Sequence, residues 1–122
     1  MLNADNPGDL RFSRVEGNIG GKHGRNWYEL VICGIKLAFE KGEDVHTLNA
    51  ILPAKIREGT YTGEGYSPIH DLKVSVPHMN ADTSEKTLAL LAKRLNCSLE
   101  LTVSWFGKSQ RAGEQAFIRW PA

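Results

Sequence analysis

Asp82-Thr83-Ser84-Glu85-Lys86-Thr87-Leu88-Ala89-Leu90-Leu91-Ala92-Lys93-Arg94-Leu95, followed after three residues by Leu99-Glu100-Leu101-Thr102-Val103-Ser104-Trp105, carries in one stretch both periodicities that an α+β fold needs. Leu88, Leu91, Ala92 and Leu95 recur at i, i+3, i+4 and i+7, the stripe of a helix with one buried face. Asp82 offers an N-cap and Glu85, three residues on, its capping-box partner. Past Leu95 the period drops to two. Leu99, Leu101, Val103 and Trp105 alternate with Glu100, Thr102 and Ser104, as a strand covered on one side requires. A polar tip over 107–113 and a second run, Gln115-Ala116-Phe117-Ile118-Arg119-Trp120, then predict a C-terminal β-hairpin.

Working towards the N-terminus, Leu72-Lys73-Val74-Ser75-Val76 alternates and is closed by Pro77, which predicts a further half-buried strand. Residues 63–68 read as a loop and 54–62 as extended chain. Asp44 is placed to cap a short helix with Val45, Leu48, Ile51 and Leu52 on one side, ended by Pro53. Residues 27–39 carry opposing signals. Their Val, Ile and Tyr content suits a strand, whereas Asn26 with Glu29 marks a helix start and Lys41-Gly42 a helix stop. The terminal signals favour a largely buried helix, with Trp27, Leu30, Val31, Ile35 and Ala38 on one face. Residues 10–15 alternate like a strand, and a glycine-rich turn is expected over 17–25. Residues 1–9 have almost nothing to bury and read as a flexible tail. Residues 10–122 then form one globular α+β domain: an antiparallel sheet with two or three helices packed on one face, since the elements mix without a βαβ rhythm.

The 122 residues are 41% hydrophobic and 24% charged, with a net charge of +1. That balance argues against a chain built for non-specific adhesion to nucleic acid or membrane. The first residues have neither a basic nor an apolar signal region, and the longest apolar stretch, 30–39, is too short to span a bilayer. Cys33 and Cys97 make no disulfide framework and read as free thiols of a cytoplasmic protein.

Candidate chemistry is sparse. His70, Asp71 and His78 are types that serve in metal or general acid–base sites, but their spacing matches no metal motif, so neither metal nor cofactor is expected. Cys33 sits among Val31, Ile32 and Ile35, and Cys97 at the negative end of a helix, where neither thiol is activated. Lys22 and Arg25, beside the start of the 27–39 helix, could hold an anion. Basic and aromatic residues interleave in two places that could serve as nucleic-acid patches: Lys22 and Arg25 ahead of Trp27 and Tyr28, and Lys108 and Arg111 at the hairpin with Trp105 and Trp120. Tyr61, Glu64 and Tyr66, set among Gly59, Gly63 and Gly65, have the composition of a recognition loop, because tyrosine supplies contact area at low entropic cost. The expected function is therefore a small non-enzymatic binding protein (adaptor, subunit or inhibitor) that docks onto a protein partner. A nucleic-acid-binding accessory protein is the alternative, and a small His/Asp enzyme the second. An exposed hairpin edge also allows a homodimer.

Overall fold

The α-helix over Trp27–Glu40 (α1) shows how burial decides between conflicting local signals. Its β-branched and aromatic residues each cost up to ~0.7 kcal/mol in a helix. Burying Leu30, Val31, Ile35 and Leu37, all under 9% exposed, returns roughly 1.5–3 kcal/mol each. Burial wins. Asn26 caps the helix by accepting the Glu29 N–H at 2.8 Å, and Glu29 reaches back to the Arg25 N–H at 3.1 Å. Lys41 closes it with its N–H on the Leu37 and Ala38 carbonyls.

The computed structural model describes residues 2–3 and 8–121. In chain order the strands are β1 (Leu2–Asn3), β2 (Ser13–Ile19), β3 (Lys22–Gly24), β4 (Arg57–Glu58), β5 (Tyr66–Ile69), β6 (Val74–Pro77), β7 (Leu99–Trp105) and β8 (Gln115–Trp120). The other helices are α2 (Val45–Asn49), with an Asp44–Thr47 capping box, and α3 (Ala81–Leu95). The fold is α+β, as its sequence implies, with the strands divided between two sheets. Five strands run in the order β1-β8-β7-β2-β3, and three in the order β4-β6-β5. Every pairing is antiparallel except β1 with β8. The C-terminal hairpin is β7–β8, registered from Leu99↔Trp120 to Ser104↔Gln115.

Helices α1 and α3 cross where Gly34 lets the chains approach: an added Cβ there would lie 2.9 Å from Leu91 and 3.2 Å from Ile19. Both pack on the inner face of the large sheet, where Val15, Ile19, Leu99, Leu101, Val103 and Ile118 are buried. The outer face carries Arg14, Glu16, Asn18, Glu100, Arg119 and a half-exposed Phe117.

Several boundaries differ from expectation. The first long strand starts at Ser13, because Phe12 takes a left-handed φ of 56°. It continues through Gly17-Asn18-Ile19, and the expected turn over 17–25 shrinks to Gly20-Gly21, whose φ values of 56° and 85° suit a two-residue hairpin. Residues 66–68 belong to strand β5 rather than to a loop, paired with the edge of β6. Leu72 lies in a 3-10 turn, and Lys73 at φ 55° delays the strand to Val74. There Val74, Ser75 and Val76 are all buried, because β6 is the central strand of its sheet. Asn80, not Asp82, caps α3 by accepting the Thr83 N–H at 2.8 Å, and Glu85 is buried at 2% exposure instead of completing a cap. The tail expected over 1–9 falls mostly outside the described residues. Its described pair Leu2–Asn3 lies as a strand beside Ile118 and Arg119, and Asp9 accepts from the Arg11 guanidinium and, at its carbonyl, from the Trp105 indole N–H.

Candidate functional site

The segment from Gly59 to Tyr66 is shaped by one buried hydroxyl. Ser75, fully buried in β6, accepts the Tyr61 N–H at 2.6 Å and donates to the Gly59 carbonyl at 2.7 Å. Gly59 takes a φ of 92°, open to glycine, and its N–H reaches the Lys73 carbonyl at 2.7 Å. The chain therefore leaves the short edge strand β4, bends over Ser75 and projects Tyr61 outward, 49% exposed.

Arg57 gathers the expected recognition residues into one cluster. Its guanidinium lies 4.6 Å from the Tyr66 ring centroid and 5.7 Å from that of Tyr61. Its Nη1 is 3.6 Å from Glu64 Oε2. Each contact is weak alone: an exposed cation–π pair contributes about 0.5–1 kcal/mol and an exposed ion pair less. Together they bring four side chains into one cluster on the surface. The Tyr66 hydroxyl adds a long bond to the Lys55 carbonyl, at 3.5 Å. Arg57 and Ser75 escaped the sequence reading. Arg57 stands in a stretch with no pattern beyond being extended, and Ser75 at a polar position of an alternating strand, which is normally read as outward.

The two basic patches lie apart. Lys22 and the hairpin tip lie at opposite ends of β2, since Ser13 pairs with Trp105 and Ile19 with both Leu99 and Lys22. Six steps at about 3.4 Å separate the two ends. Lys22 is paired with Glu40 at 3.1 Å, and Arg25 is exposed. At the hairpin, Arg111 lies 3.7 Å from the Trp105 ring centroid and 3.3 Å from Glu114, while Lys108 is exposed. Trp105 is core, 3% exposed, with its indole N–H on the Asp9 carbonyl at 2.9 Å. The aromatics open to solvent at this end are Phe12 and Phe106, the latter under Arg14 at 4.6 Å.

No family model, curated protein or solved structure matches this chain.

His70 and Asp71 occupy the 3-10 turn before β6, and His78 lies beyond its far end. Asp71 is 3.6 Å from Lys36, and His78 Nε2 is 3.0 Å from the Ser67 hydroxyl, so the three are not brought together. Among the described residues no three His, Cys, Asp or Glu side chains converge as metal ligands would. Burial pushes both the Cys33 and Cys97 thiols up, away from the thiolate. No helix among the described residues is long and apolar enough to cross a membrane.

The exposed chain before β2 holds one strongly shifted carboxyl. Hydrogen bonds from the Arg11 guanidinium, joined by the Arg11 backbone N–H, hold Asp9 at about 2. A depressed carboxyl favours the folded state above its ordinary value of 3.8 and loses that contribution as pH falls towards about 2. A carbon-detected NMR titration is expected to place the Asp9 midpoint at about 2 in the native chain, and back towards its ordinary value in Arg11→Ala.

Proposed function

We propose that this chain is a non-enzymatic binding protein that docks onto a protein partner through the surface formed by Arg57, Tyr61, Glu64 and Tyr66. The observation that carries this reading is the Arg57 guanidinium held against both tyrosines at 4.6 and 5.7 Å on an exposed loop. Tyrosine and arginine dominate the residues whose truncation weakens protein interfaces most. Ordering them in advance removes part of the entropic cost of association, about 0.5–1.5 kcal/mol for each immobilised side chain. A loop that only linked β4 to β5 would need neither the stacking nor the buried brace. Free Cys33 and Cys97 support a cytoplasmic setting.

The test is retention of a partner on the tagged chain, with and without nuclease, compared between wild type and Tyr61→Ala. A protein held by the wild type after nuclease is expected to bind Tyr61→Ala about 30-fold more weakly, the effect of a residue contributing ~2 kcal/mol at an interface. The melting temperature should stay nearly unchanged, since surface substitutions fall within about 0.5 kcal/mol. A partner that binds both proteins equally well would place the docking surface elsewhere.

A nucleic-acid surface at the hairpin end is the second reading. It is supported by Arg14 over Phe106, with Lys108 exposed nearby. It predicts binding that is lost with nuclease and weakened by added salt and by Lys108→Ala/Arg111→Ala. Self-association through a free strand edge is read from the same samples by sedimentation.

A further inference from the structure

The charge of Arg57 is met differently from those of Arg94 and Arg11. Arg94 reaches Glu43 through Nε and Nη2 at 3.0 and 3.2 Å, and Arg11 reaches Asp9 through Nε and Nη2 at 3.1 and 2.8 Å, the fork geometry of a bidentate pair. Arg57 lies 3.6 Å from one oxygen of Glu64, an ion pair too long to be a hydrogen bond. Its other contacts are the Tyr66 and Tyr61 rings. A ring is at best a weak acceptor, so these contacts engage the cation without satisfying its five N–H donors.

The space beside that guanidinium is concave. About 500 Å³ is bounded by Arg57, Thr60, Tyr61, Thr62, Gly63 and Glu64. Apart from Arg57 and Glu64 this lining is uncharged, with two threonine hydroxyls that suit a polar segment of chain. Lys55, two residues before Arg57, adds no free charge, since its ammonium donates to the Asn49 and Leu52 carbonyls at 2.7 and 2.8 Å. Glu58 follows Arg57 in β4 and is directed to the other face of the small sheet, because successive strand residues alternate. The Arg57–Glu64 pair opens by moving Glu64, whose side chain is 82% exposed, while Arg57 keeps its contact with two rings.

We infer that the protein partner presents an acidic side chain to Arg57: the carboxylate of an aspartate or glutamate enters this concavity, takes the guanidinium in fork geometry and displaces Glu64. The inference rests on the docking reading above and gives that partner its chemistry. A basic segment would meet Arg57 as a like charge, and an apolar one would desolvate the guanidinium without replacing its hydrogen bonds to water. A phosphate group carries about −1.5 to −2 at pH 7 and is read by clusters of arginines, whereas Arg57 is the one cation in this lining. One guanidinium matches one carboxylate.

The probes are a short acetylated, amidated glycine peptide with one central glutamate, the same peptide with glutamine, and inorganic phosphate, each titrated into the full chain while the Arg57 Nε–H signal is followed by NMR. The glutamate peptide is expected to shift that signal saturably at millimolar concentration, and the glutamine peptide to leave it in place. Glu64→Gln should tighten the glutamate peptide about threefold by removing its competitor, an effect of the size of an exposed ion pair. Arg57→Lys should weaken it about tenfold by losing the second arm of the fork. An Arg57 signal that the glutamate peptide does not move, or that both peptides move equally, overturns the inference; so does phosphate binding more tightly than the glutamate peptide. The docking reading fails separately, on a partner indifferent to Tyr61→Ala. A partner that is lost with Tyr61→Ala, alongside a glutamate peptide that leaves Arg57 unmoved, keeps the docking surface and removes only its acidic occupant.

Discussion

Gly17→Ala is expected to cost about 3 kcal/mol or more and to lower the melting temperature by roughly 10 °C. A Cβ at this position would stand 2.1 Å from the Glu100 carbonyl oxygen, 2.9 Å from Leu101 Cα and 3.0 Å from the Glu100 carbonyl carbon. All three are backbone atoms, so no side chain can swing away. Relief requires β2 and β7 to part, and their ladder is continuous from Ser13↔Trp105 to Ile19↔Leu99 at the centre of the large sheet. Gly17→Val should leave little folded protein. Gly63→Ala is the control: nothing lies within 4 Å of its added Cβ, so a change within about 0.5 kcal/mol is expected. Thermal melts of the three variants check this, and a Gly17→Ala protein that melts like the Gly63→Ala one would show that the two strands do not approach so closely.

Gly17 also shows where the sequence could be read and where it could not. Next to Gly20, Gly21 and Gly24 it looked like part of one long turn, because composition does not separate a glycine that bends the chain from one that admits a neighbouring strand. Only Gly20 and Gly21 take positive φ in this stretch. The C-terminal half was more legible, because α3, β7 and β8 each bury one face and so display their period openly. Helix α1 was legible at its ends rather than in its middle: Asn26 and Lys41 marked the limits, while Val31, Ile32 and Ile35 pointed to a strand. The three-stranded sheet was the least legible element. Its strands are two to four residues long, too short for a period to show, and the burial of all three residues 74–76 erased the alternation on which strand β6 had been placed.

The candidate site divides in the same way. Tyr61, Glu64 and Tyr66 stood out because their glycine-rich surroundings offer little to bury, and they do share one cluster. Arg57, which joins them, comes from a different element, and a contact between elements leaves no mark in local spacing. Lys22 with Arg25, and Lys108 with Arg111, read as two basic patches on composition, which does not show ion pairing. Lys22 and Arg111 are engaged by Glu40 and Glu114.

Ser75 ties the fold to the proposed docking surface, and Ser75→Ala is expected to damage both. The substitution leaves the Tyr61 N–H and the Gly59 carbonyl without their partner beneath a bend whose central hydroxyl is fully buried. Each orphaned group costs about 1–3 kcal/mol, so a loss of ~2–6 kcal/mol is expected in urea unfolding. Released from its brace, the segment 59–61 must be ordered again when a partner arrives, at about 1–2 kcal/mol per residue. Affinity should then fall by about a hundredfold or more, although no residue at the proposed interface has changed. The pairing of effects is diagnostic. Tyr61→Ala should weaken the partner at constant stability, whereas Ser75→Ala should weaken both together, and adding urea to the wild type should not reproduce the affinity loss while the fold persists. A Ser75→Ala chain that is less stable yet keeps full affinity would mean that the partner does not read the arrangement of Tyr61 and Tyr66 around Arg57. The brace would then serve the three-stranded sheet alone.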